Sequence, residues 1–109
     1  MATDVFKGGI KIGAISVTFM SDFSNIDSDL LVASYADVDG GNVQTPHEAI
    51  APGGSATVRV DALKKGLLEV LVVTGHEEES GRLQVAHDGN LRDDEPTKGP
   101  IRWVYAVHE

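Results

Sequence analysis

No cysteine occurs anywhere in the chain, which excludes a disulfide framework and any thiolate-ligated zinc or iron–sulfur centre. The redox compartment stays open on this count. Aromatic residues are also scarce, at 6% with a single Trp, so an exposed sugar-stacking face, which ordinarily shows several rings, has little to be built from. Positive charge is the third shortage. Nine Lys and Arg stand against 17 acids, a formal net charge of −8. The bases are dispersed from Lys7 to Arg102, so a phosphate backbone or an anionic membrane surface is repelled rather than gripped.

Long hydrophobic runs are missing too. The most apolar stretch, GLLEVLVVTG from Gly66 to Gly75, is interrupted by Glu69 and is far short of the roughly 20 residues that span a bilayer as a helix. Met1 to Asp4 lack the basic and apolar regions of a secretory signal. The expectation is a soluble chain without membrane insertion, cytoplasmic by default.

Catalytic motifs are equally absent. GGSAT around Ser55 lacks the second glycine of a nucleophile elbow and leads into a strand where that elbow leads into a helix. It also lacks the lysine of a phosphate-binding loop. DVDGGN, Asp37 to Asn42, departs from a calcium-binding EF-hand loop, because Gly41 occupies its fifth position and Asn42 replaces the glycine of its sixth. No H-x-H or H-E-x-x-H pair exists. The chain is therefore read as non-enzymatic.

What remains is alternation. With 41% hydrophobic and 24% charged residues, the 109 residues are expected to fold as one domain around a modest core. Ile10, Ile12 and Ala14 alternate, and the pattern resumes on the opposite parity as Ile15, Val17 and Phe19. This predicts a strand over Ile10 to Met20 that bulges or changes sheet at Gly13. Asp29 to Ala36 forms a second strand, apolar on both faces. Ala36 to Gly54 reads as a long loop with a short edge strand near Val43 or Ile50.

Ser55 to Ala62 is the clearest period-two segment, with Ala56, Val58, Val60 and Ala62 inward. A turn at Leu63 to Gly66 leads to a central strand whose Leu68, Val70 and Val72 face one side and whose Leu67, Leu71 and Val73 face the other. Gly75 to Gly81, with glycine at both ends and acids between, reads as a hairpin connection, and Arg82 to Asp88 as a strand with Leu83, Val85 and His87 inward. Gly89 to Gly99 reads as a polar loop. In the last strand Ile101, Trp103, Tyr105 and Val107 share a face, and that company marks Trp103 and Tyr105 as core anchors with Val58, Val60, Leu68, Val70 and Val72.

Six strands of this length without a helix predict an all-β, single-domain antiparallel β-sandwich of six to eight strands, immunoglobulin-like or jelly-roll in type. If successive strands reverse direction, one end collects Ser21 to Ser28, Ala62 to Gly66 and Asp88 to Gly99. The other collects Asp37 to Gly54 and Gly75 to Gly81. The second end would bring Asp37, Asp39, His47 and Glu48 near His76 and Glu77, a donor set suited to calcium or another divalent ion. Asp22 and Asp27 with Asp93, Asp94 and Glu95 form a lesser acidic group at the first end.

Two functional expectations follow. The first is a non-catalytic protein-interaction or assembly module without a cofactor. It self-associates or takes a protein partner through an edge strand such as Arg82 to Asp88 or Ser55 to Ala62. The second is a calcium-dependent carbohydrate- or surface-binding module that uses the loops.

Overall fold

Ile12 and Gly13 are where the chain leaves one sheet for the other. In the computed structural model, which describes residues 3–22 and 29–109, the expected first strand is two strands: β1 (Thr3–Lys11) and β2 (Gly13–Ser21). Their apolar positions change parity because they belong to different sheets. Gly13 takes φ 149°, and a side chain there would lie 2.7 Å from His87 Nε2, so the crossing requires glycine.

β3 (Leu30–Asp37), β6 (Ser55–Ala62) and β7 (Gly66–Val73) lie where alternation placed them. Between β3 and β6, β4 (Val43–Gln44) and β5 (His47–Ala49) both pair with β3 and run back along it. The remaining strands are β8 (Ser80–His87), β9 (Asn90–Lys98) and β10 (Ile101–His108). All regular structure among the described residues is strand, and none of it is a helix able to cross a membrane.

One sheet has the order β1-β10-β7-β3-β4, with β5 also on β3, and the other the order β6-β2-β8-β9. Neighbours are antiparallel except β1 and β10, which run parallel. The two sheets pack as a β-sandwich, with the β8–β9 hairpin at one edge of the four-stranded sheet, so Gly75 to Gly81 joins strands of different sheets and is not a hairpin connection.

Gly89 to Gly99 departs from expectation, since Asn90–Lys98 is a paired edge strand rather than a loop. Asp88 and Gly89 have φ values of 46° and 85°, the positive pair that a two-residue type I′ hairpin needs. The strand carries no apolar alternation because its inward positions are Asp93 and Glu95, whose cross-strand partners Val85 and Leu83 are buried. Its presence makes β8 an interior strand, so Arg82 to Asp88 is not an edge.

One continuous core fills the space between the sheets. Trp103 is 1% exposed, and Tyr105, Val58, Val60, Leu68, Val70 and Val72 are buried with it. Both Tyr hydroxyls find partners, Tyr35 donating to the backbone oxygen of Lys64 at 2.6 Å and Tyr105 to Asp93 Oδ2 at 2.6 Å, as buried phenols require.

Candidate interaction face

The outward sides of the two sheets differ in chemistry. On the four-stranded sheet the register sets Thr57, Thr18, Gln84 and Asp94 in one outward row and Ser55, Met20, Arg82 and Pro96 in the next. Polar side chains dominate. Thr18 and Thr57 hydrogen-bond across strands at 3.0 Å, and Arg82 pairs with Asp94. This is the solvated face that an antiparallel sheet normally shows.

On the six-stranded sheet the outward rows are apolar. Leu71 lies opposite Val32, Leu67 opposite Ala36, Val73 opposite Leu30, and Phe6 opposite Val104. Phe6 is 69% exposed, Leu67 42% and Val73 44%, while Leu71, Val104, Val32 and Leu30 are half-buried only by their neighbours. Several exposed apolar side chains on one sheet face suggest an interaction surface more than a single one would.

Ion pairs on the face, among the described residues, form one short track. Arg102 Nε donates to Glu69 Oε2 at 2.7 Å, and its Nη1 lies 3.6 Å from Asp4 Oδ2. The hydrogen bond donated to Glu69, reinforced by the two carboxylate charges, holds the Arg102 guanidinium above its usual pKa. Arg102 and Glu69 were legible only as outward residues of their strands. That they meet follows from the β10–β7 register, which sequence alone does not reveal.

The proposed metal donors do not converge. β4 and β5 carry the chain from one end of the sandwich to the other, so the segment after Asp37 starts and finishes at opposite ends. Asp37 and Asp39 lie with the β6–β7 turn: Val38 N–H donates to the Lys65 oxygen at 2.9 Å, and Asp39 is 3.7 Å from Lys64. His47 and Glu48 sit on β5 opposite Val32 and Leu31. His76 and Glu77 belong to the connection at the far end, where Gly75 N–H donates to Asp29 Oδ1 at 2.9 Å. The grouping of Asp37 to Gly54 with Gly75 to Gly81 is thus corrected. Among the described residues no three His, Asp or Glu side chains are grouped to hold a metal ion.

Asp37 serves the backbone instead. Burial works against its charge, but its carboxylate accepts the amides of Gly41 and Asp39, with Asn42 and Lys64 adding to the effect, and the net pKa falls below the usual carboxylate value. The lesser acidic group is divided as well: Asp27 lies outside the described residues, Asp22 N–H donates to the Ser80 oxygen, and Asp93, Asp94 and Glu95 form part of β9. His87 is a half-buried rim residue whose Nε2 contacts the Ile12 oxygen at 2.9 Å.

Compared with protein-family models, with curated proteins and with solved structures, the chain gives no match.

Proposed function

We propose that this chain is a non-catalytic assembly module that associates with a second copy of itself through the outer face of its six-stranded sheet. The observation that supports this is the chemical asymmetry of the sandwich: one outer face is a polar, hydrogen-bonded surface and the other an apolar one crossed by a single ion-pair track.

Charge is compatible with a like partner on this face. The molecule carries −8, so two copies repel wherever their acidic ends or the β9 edge approach. On the apolar face the register places only Asp4 and Glu69 as acids, with Arg102 between them. The adjacent Arg102 and Glu69 also make the face self-complementary. A two-fold axis passing between them sets Arg102 of one copy against Glu69 of the other, twice, which an isologous contact demands.

Area bounds the contact. Five strands at about 4.8 Å spacing and eight residues at about 3.3 Å rise give roughly 600 Å² per copy. Two copies would bury about 1,200 Å², the lower bound of specific interfaces, so the association is expected to be reversible.

Sedimentation velocity tests the reading. Between about 1 and 300 μM the weight-average mass is expected to rise from 11.6 kDa towards twice that value, and Leu71→Lys, which alters no core residue, is expected to hold the chain monomeric. A constant monomer mass over the whole range sinks the proposal.

A further inference from the structure

We propose that the cleft between the end of β1 and the start of β9 binds a small carboxylate with an apolar body. The proposal does not depend on self-association. It has a volume of about 280 Å³. At roughly 30 Å³ per water volume this is room for a ligand of about nine heavy atoms.

The lining defines the class. Ile10 and Leu91 provide apolar walls, Lys11 and Arg92 provide positive charge, and Asn90 provides an amide. Among the described residues no acid lines the cleft. Lys11 makes no ion pair among the described residues. Arg92 spends Nη2 on the oxygens of Lys7 and Gly9, and one Nη1 proton on Asp93. A guanidinium has five N–H donors, so its Nε–H and one Nη1–H are left over.

His87, also in the lining, donates from Nε2 to the Ile12 oxygen at 2.9 Å, since that oxygen can only accept. Neighbouring Asp88 accepts Ala14 N–H through Oδ1 at 2.9 Å, and its Oδ2 lies 3.6 Å from His87 Nε2.

Two cations beside two apolar side chains suit an anion that carries hydrocarbon. A bare oxyanion would leave Leu91, 57% exposed, facing water, and an amine would meet like charge. The cleft is too small for an extended peptide, although the carboxyl end of one has the same chemistry as a free acid.

Amide chemical-shift titration with benzoate, with inorganic phosphate, benzylamine and acetyl-leucine as comparison probes, tests this. Benzoate is expected to give saturable shifts at Gly9, Lys11, Asn90 and Leu91. Acetyl-leucine matching it would assign the site to a chain end as readily as to a free acid, and weaker binding would assign it to the free acid. Lys11→Glu is expected to weaken benzoate about tenfold, the scale of reversing one exposed charge contact, and Lys11→Gln by less, both with native amide dispersion. Benzylamine or phosphate binding as tightly as benzoate, absence of saturation, or an unaltered affinity in Lys11→Glu would each overturn the assignment.

Discussion

Arg92 donates from Nη2 to the backbone oxygen of Lys7 at 3.0 Å, and each of these residues is the extra one in a β-bulge. Pairing of β1 with β10 skips Lys7 between Phe6 and Gly8, and pairing of β9 with β8 skips Arg92 between Leu91 and Asp93. The bulges face each other across the open side of the sandwich. They turn two cations inward, Lys7 over the Trp103 ring at 4.4 Å and Arg92 over that of Tyr105 at 5.8 Å. Lys7 also pairs with Glu95 and Asp93, so polar contacts close a side where two strand edges would otherwise be open to foreign strands.

Arg92→Ala is expected to destabilise the fold by about 1–3 kcal/mol, since it removes two charge-assisted bonds to backbone oxygens and the partner of Asp93. Arg92→Lys is expected to recover less than half, because an ammonium cannot match the planar fork. Urea unfolding measures both, and a stability equal to the parent would show that the bulges hold without the latch.

Tyr105 predicts the alkaline limit. Burial, then the hydrogen bond to Asp93, pushes its phenol well above the usual tyrosine range. A folded pKa above the unfolded value of about 10 gives stability that is complete below pH 10 and lost as pH rises further. Tyr105→Phe is expected to cost about 1–3 kcal/mol at neutral pH by leaving Asp93 short of a donor, and to flatten that alkaline loss. A steep loss persisting in the variant would place its origin elsewhere.

Asp37 contributes to the acid limit with the opposite sign. Its folded pKa lies below the unfolded value of about 3.9, so its contribution is present above that pH and disappears as pH falls through the folded pKa. Asp37→Asn is expected to reduce the decline in stability between about pH 4 and 2. Denaturant midpoints taken across that range decide it, and identical slopes for variant and parent would count against a role for Asp37.

The paired track on the apolar face gives a charge-exchange experiment. Arg102→Glu and Glu69→Arg are each expected to weaken self-association more than tenfold, by placing like charges in contact within and between copies. The double variant is expected to restore it, as a coupled pair requires. Dissociation constants from sedimentation equilibrium supply the cycle, and additive losses in the double variant would show that Arg102 and Glu69 do not meet across the dimer axis.

Local periodicity determined which residues of this protein are buried. Alternation within Ser55–Ala62, Gly66–Val73 and Ile101–His108 set the inward faces, and the parity change at Gly13 marked the passage between sheets, because side chains on a strand must point alternately up and down whatever the partner strand is. Tertiary structure decided the rest. β9 is inward-acidic and becomes a strand because Lys7 and Tyr105 arrive from elsewhere and join its own Arg92 in satisfying Asp93 and Glu95. Likewise the ends at which Asp37 and His76 fall, and the meeting of Arg102 with Glu69, depend on strand order and register. Those are set by contacts between residues far apart in the chain, and periodicity within one segment carries no record of them.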